Sequence, residues 1–369
     1  MSRTGRSVVS RTTKAVASPV RRFFNPRFES LAMRLDSLEA AVNRLAPLDL
    51  NGQASAPNSS AHEPSATDLA LAQVVNQAER LAGVDVSEHN RSGIPPNFLQ
   101  LTSQAASSAQ CDDPKYLEWF RLLTGVTESE LSPYNRKTWE WAYIAEAVAQ
   151  AGLMKPGRKA LGFGVGNEPL PALFASKGLD VVATDQGAES GDHWASTGEL
   201  MAGLSGLSRT HLITDEELAA HVELRKVDMN TVPDDLGTFD VIWSSCAIEH
   251  LGSPERGLDF VLDQCRLLAP GGIAVHTTEL ELTRRDTTAD YGNCAVYRLP
   301  DLQEFEKRLS EVHCTSGFNF TVPMDTPEDR WISLIAVEGE SAPSDIAHLK
   351  LAIGDSVSTS FGLLIRRLP

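Results

Sequence analysis

Apolar positions in this chain change period along its length, and each change marks an element. Phe28, Leu31, Leu35, Leu38, Val42 and Leu45 alternate spacings of three and four, a heptad seam of about two and a half turns of the repeat. Helical spacing returns near Thr67 to Leu81, Pro114 to Leu123 and Tyr134 to Ala151, the last carrying Trp139, Trp141, Ala142 and Ile144. From residue 158 the pattern becomes strand and helix in turn. A short apolar run ends in Gly162, Gly164 and Gly166, and Leu170, Leu173 and Phe174 then recur at helical spacing until Gly178. Leu179 to Asp185 reads as a strand with a carboxylate at its end, and Thr214-Asp-Glu-Glu217 as a capping box opening a helix to His221. Val222 to Val227 and Thr238 to Ser245 read as further strands, the second apolar on both faces as a central parallel strand requires. Ser253-Pro254 starts a helix bearing Leu258, Val261, Leu262 and Cys265, and Ala269-Pro-Gly-Gly272 turns it into the strand Ile273 to Thr277. A helix with Leu302, Phe305 and Leu309 follows, and 349–353 and 358–365 form two strands about a short turn.

Strands alternating with helices predict an α/β fold, a doubly wound and mostly parallel sheet closed by a C-terminal antiparallel hairpin. Helices and the short coiled coil precede it. The expected organisation is a basic tail over 1–27, a coiled-coil helix over 28–46, a linker with one helix over 47–110, and a main domain over 111–369. Within that domain the cofactor half spans 153–280 and the substrate and hairpin part 281–369.

The chemistry collects at strand ends. The three glycines let the backbone leave a buried strand, turn and come close to a ligand that a Cβ would obstruct. Asp185 stands where a carboxylate meets ribose hydroxyls at the mouth of a parallel sheet. Asp228 and Met229 end the next strand, an acid for an exocyclic amine and a thioether to pack on a ring. The dinucleotide fingerprint needs G-x-G-x-x-G, and neither Gly162 nor Gly164 starts one, which disfavours a nicotinamide or flavin dinucleotide.

In this order the motifs resemble those of the class I S-adenosylmethionine-dependent methyltransferases. The glycine loop, acidic second strand end, Asp before the fourth strand, Phe-Asp-Val-Ile strand and Leu-x-Pro-Gly-Gly turn all fall between residues 158 and 277, about a third of the chain. The resemblance implies a Rossmann-like fold and S-adenosylmethionine as cofactor. Gly162, Gly164 and Gly166 would approach its methionine part, Asp185 its ribose and Asp228 with Met229 its adenine, while Ser245 and Cys246 would line the pocket floor. Family members carry an acid two positions before the first glycine. Ala160 stands there in this chain, so any such role passes to a neighbour such as Glu168. The layout of the C-terminal third is also similar to methyltransferases found with bacterial polysaccharide synthesis.

A formal net charge of −16 disfavours a general nucleic-acid binder. Residues 1–35, however, hold eight Arg or Lys against one acid. That tail suits peripheral contact with an anionic membrane face, or a targeting segment. The seam over 28–46 suits self-association or partner docking. Five cysteines without paired or metal-ligand spacing read as reduced thiols, and no apolar run approaches a membrane span, so a cytoplasmic location is expected.

For transfer of a methyl group to a hydroxyl of a glycan or small molecule, His250 is the candidate general base. Glu249 orients it or binds the acceptor, and His193 is a weaker second choice. No sequence cluster has metal-ligand spacing, so no metal is expected. The alternative is a degenerate cofactor-binding scaffold tethered through its coiled coil, for which Ala160 argues.

Overall fold

In the computed structural model of the chain, the described residues are 79–186, 203–291, 294–334 and 347–369. The chain divides into two units, Met1–Glu79 and Arg80–Pro369, and the second holds the fold discussed below. The basic tail, the 28–46 seam and His193 lie outside the described residues. None of the described helices is long and apolar enough to cross a membrane.

The second unit is built on a mixed sheet. Its parallel part comprises β2 (Lys159–Gly162), β3 (Asp180–Asp185), β4 (Val222–Lys226), β5 (Phe239–Ser245) and the long β6 (Leu268–Glu281); β1 is the short strand Ser103–Ala105. β7 (Ala289–Asp290) and β8 (Ala295–Val296) form a separate ribbon. Then come β9 (Cys314–Thr315), β10 (Phe318–Asn319), β11 (Ile332–Leu334), β12 (Lys350–Ile353) and β13 (Ser356–Arg367). The spatial order β10-β1-β13-β6-β5-β2-β3-β4 reverses at β2, where the chain turns from one half of the sheet to the other. That is the Rossmann-like, doubly wound arrangement, whose ligands sit at the carboxyl ends of the strands beside the switch point. β13 inserts antiparallel against β6 over nine pairs from Ser358–Glu281 to Arg366–Ile273, and β12 folds back on it about Gly354 and Asp355. The closing hairpin therefore forms where the sequence pattern places it.

The helices of seven residues or more among the elements are α1 (Pro114–Thr124), α2 (Arg136–Gln150), α3 (Leu170–Ser176), α4 (Asp215–His221), α5 (Pro254–Gln264) and α6 (Leu299–Arg308). α4 carries the full reciprocal capping box, Thr214 and Glu217 each serving the other's backbone N–H. α2 packs across β13: Trp139 and Tyr143 are buried and stacked 5.0 Å apart. A Cβ at Gly362 would lie 2.2 Å from the Tyr143 ring, so glycine is what lets this helix seat. The Trp-rich helix is thus core on that face.

The compact unit begins at Arg80, not at residue 111. Val84 bridges Thr283, and β1 pairs with both Phe318–Asn319 and Phe361–Gly362. Residues 80–110, read from sequence as the end of a linker, therefore complete the sheet's far side. Their strand is three residues long, too short to show a period.

Candidate functional site

The loop leaving β2 is made by two backbone requirements. Gly164 and Gly166 sit at φ of +57° and +48°, the left-handed region where a side chain is strained. Gly164 faces the strand ends across the cleft: a Cβ there would come within 3.1 Å of Ala247 Cβ and 3.6 Å of Met229 Sδ. Gly162 does something else. Its Cβ would collide with the Trp243 indole at 2.3 Å and with Val165 at 2.5 Å, so this glycine makes room for a core tryptophan.

Asp185 ends β3 as the pattern requires, and it is almost wholly buried. Its Oδ2 accepts from Gly166 N at 3.2 Å and its Oδ1 from Gln186 N at 2.8 Å, so the carboxylate also pins the glycine loop. Asp228 is exposed, its Oδ1 accepting from Asn230 N, while Met229 is half-buried. Met229 borders a cavity of about 450 Å³ that Arg256 and Phe260 also line. The structure thus brings Gly164, Gly166, Asp185, Met229 and Ala247 to one place.

Ala160 is fully buried in the apolar core, where a carboxylate would have no partner. Glu168 lies at the end of the glycine loop. It is 7% exposed, and its Oε1 accepts from Trp243 Nε1 at 2.6 Å. Burial pushes its carboxyl up to about 8, against the lowering effect of the Trp243 bond and Lys137.

Ser245 and Cys246 do not stand alone at the floor. Cys246, at a φ of +51°, has its backbone N bonded to Thr277 Oγ1 at 3.0 Å. Its Sγ lies 3.2 Å from Glu140 Oε1 and accepts from Arg136 Nη1 at 3.1 Å. Arg136 also donates to Glu279 Oε1 at 2.6 Å, Ser358 donates to Glu279 Oε2 at 2.7 Å, and Ser245 and Ser360 both donate to Glu140. Burial alone would raise Glu140, but Lys137 and Arg136 hold it down to about 2. This charged network of α2, β5, β6 and β13 was not foreseen. Its one sequence signal is the Arg136–Lys137–Glu140 spacing at the start of an otherwise apolar helix.

Cys246, Glu249 and Glu279 bring ligand atoms within 4.8 Å of one another, a spacing that suits a metal ion. Arg136 already bonds two of the three, so the guanidinium provides the positive charge that a cation would bring. Glu249 is buried, accepts from Thr278 Oγ1 at 3.3 Å, and is raised by that burial. His250 closes a short 3₁₀ turn, Ile248–His250, with its Nε2 4.0 Å from Glu249 Oε1 and its side chain 22% exposed. The pair follows Cys246 by three and four residues.

No protein-family model and no curated protein matches the chain. Among solved structures it is similar to magnesium protoporphyrin IX methyltransferase from Synechocystis PCC 6803 with bound S-adenosylhomocysteine. There the identity is 12%, covering 64% of this chain and 84% of that one, with a TM-score of 0.37. It is also similar to 1,6-didemethyltoxoflavin-N1-methyltransferase from Burkholderia thailandensis, at 13% identity over 87% of this chain and 98% of that one, TM-score 0.33. A third is phosphoethanolamine N-methyltransferase 2 from Haemonchus contortus, at 21% identity over 47% of this chain and 37% of that one, TM-score 0.34.

Proposed function

We propose that the chain transfers a methyl group from S-adenosylmethionine to a hydroxyl oxygen of a small molecule or glycan. The observation that carries the reading is the cradle between β2 and β3. Gly164 is held where a Cβ would fill the space before Met229 and Ala247, the buried Asp185 carboxylate accepts from Gly166 N, and Glu168 is buried at the end of the loop. Those groups fit the cofactor's parts. Asp185 would accept from ribose hydroxyls, Met229 would pack on the adenine, and Glu168 would meet the methionine ammonium. The cofactor supplies a methyl already activated on a sulfonium, so the protein has mainly to align the acceptor and exclude water.

The chain's own residues then divide the work. Gly164 and Gly166 let the backbone approach the methionine part, and the Asp185–Gly166 bond fixes the loop that does so. His250 takes the proton from the acceptor hydroxyl through a ring nitrogen, and Glu249, 4.0 Å away, orients the ring and stabilises the imidazolium formed. The Arg136–Glu140–Glu279 network holds Cys246 in its left-handed backbone conformation and so sets the course of the 246–250 segment. The purified chain, incubated with methyl-labelled S-adenosylmethionine and an extract of its source cell, should place the label on an oxygen of a hydroxylated compound. Label appearing only on protein or nucleic acid would contradict the acceptor class.

A further inference from the structure

S-adenosylmethionine ends in an amino-acid group, with an ammonium and a carboxylate on the same carbon. With Glu168 taking the ammonium and Asp185 the ribose, the carboxylate needs a cation that acts close to Glu168. Among the described residues, Arg136, Lys137 and Arg209 bring positive charge to this part of the cleft.

The two arginines are committed elsewhere. Arg136 Nη1 donates to Cys246 Sγ at 3.1 Å, to Glu140 Oε1 at 3.2 Å and to Glu279 Oε1 at 2.6 Å. Arg209 donates to the backbone carbonyls of Asn167, Gly206 and Ser208. Lys137 differs. Its side chain is 38% exposed, and its ion pair among the described residues, Nζ to Glu140 Oε2 at 3.4 Å, is longer than a hydrogen bond between charged groups. Burial opposes its charge, but Cys246 and Glu140 outweigh that and raise its pKa, so the ammonium stays protonated.

The fold sets this ammonium beside the glycine loop. Glu140 Oε2, which faces Lys137, also accepts from Ser245 Oγ at 3.1 Å at the end of β5. Two residues back, on the same face of that strand, Trp243 pairs in register with Gly162 and donates to Glu168. Burial raises the Glu168 carboxyl, and after the Trp243 bond it is Lys137 that acts most strongly against that rise. The amides at the start of α2 are taken: Lys137 N and Thr138 N donate to Asn135 Oδ1, and Arg136 N to the carbonyl of His348. The Lys137 side chain is the donor that α2 has left.

The charges around it favour this ligand over a simple anion. Glu140 and Glu279 balance Arg136 and Lys137, while Glu168 and Glu249 add acids whose ionisation burial opposes. S-adenosylmethionine brings a sulfonium and an ammonium together with its one carboxylate, so it is a net cation as a whole and an anion only at one end.

We propose that Lys137 binds the carboxylate of the cofactor's methionine part, on the carbon whose ammonium Glu168 takes. Lys137 and Glu168 together then read the amino-acid end as a zwitterion. This rests on S-adenosylmethionine being the cofactor.

The test is calorimetry on the full chain with S-adenosylmethionine, its decarboxylated analogue, which keeps the sulfonium and the ammonium, and 5′-methylthioadenosine, which lacks the amino-acid end. The wild type should bind S-adenosylmethionine about ten-fold or more tighter than the decarboxylated analogue, the scale of a hydrogen bond between charged groups. Lys137→Met should remove most of that preference by weakening S-adenosylmethionine alone. The decarboxylated analogue, a dication, should bind the variant as well as the wild type or better, and 5′-methylthioadenosine should bind both alike. Equal binding of the two cofactor forms by the wild type, an unaltered preference in Lys137→Met, or an equal loss of all three ligands in that variant overturns the proposal. A wild-type chain that binds S-adenosylmethionine but shows no such preference loses only the role of Lys137; one that does not bind S-adenosylmethionine loses the cofactor reading as well.

Discussion

Trp243 Nε1 donates to Glu168 Oε1 over 2.6 Å, joining the central strand β5 to the end of the glycine loop through one buried bond. The same indole fills the space that Gly162 leaves open, so a packing glycine, a core tryptophan and a cleft carboxylate form one unit.

That unit sets a pH dependence. Burial raises Glu168 from an ordinary 4.5 to about 8, so between those values the folded chain holds a proton that the unfolded chain has released. Stability of the cofactor-free protein is therefore highest below about 4.5 with respect to this group, and falls as pH rises to about 8, by a few kcal/mol at most. Melting temperatures at pH 5 and pH 8.5 should differ less in Glu168→Gln than in the wild type. An identical difference in both proteins would mean that Glu168 ionises freely in the fold.

Glu140 works in the opposite sense. Lys137 and Arg136 outweigh its burial and hold it near 2, so its contribution is present above about 4.5 and is lost as pH falls toward 2. Glu140→Gln leaves Arg136 and Glu279 to rebalance in the interior and should cost roughly 3–5 kcal/mol at neutral pH. Urea midpoints at pH 7 and pH 3 measure this: the variant should lose most at pH 7 and approach the wild type in acid. A variant equally stable at pH 7 would make the network dispensable.

What could be read from the chain was local. The capping box at Thr214, the glycine loop, Asp185 at its strand end and the hairpin about Gly354 all depend on residues within a few positions of one another. The network around Glu140 was illegible because its members come from far apart: Ser360 lies 220 residues from Glu140, and Glu279 lies 143 from Arg136. β1 escaped for the same reason, since its partners are Phe318 and Gly362 and its own three residues carry no period. That Gly162 makes room for the Trp243 indole was illegible because the two residues lie far apart in the sequence.

Asp185→Asn keeps the shape of the side chain but halves its accepting capacity toward both Gly166 N and a ribose. A bond to a charged group contributes roughly 1.5–3 kcal/mol, so S-adenosylmethionine affinity should fall about 10- to 100-fold, with a lower melting temperature because the amide NH2 cannot accept from Gly166 N or Gln186 N. Unchanged affinity would move the ribose away from β3.

His250→Ala should lower turnover by roughly 10²–10⁴, the usual contribution of acid–base catalysis, with cofactor affinity preserved. Near-full turnover would leave alignment alone to carry the reaction. Joint loss of binding and turnover would make His250 part of the pocket wall.

The most direct test of the central claim is calorimetric titration of the full chain with S-adenosylmethionine, S-adenosylhomocysteine and NAD. The cradle between Gly164, Asp185 and Met229 predicts micromolar binding of the first two and none of NAD. NAD binding more tightly than either, or no binding of S-adenosylmethionine, would contradict it.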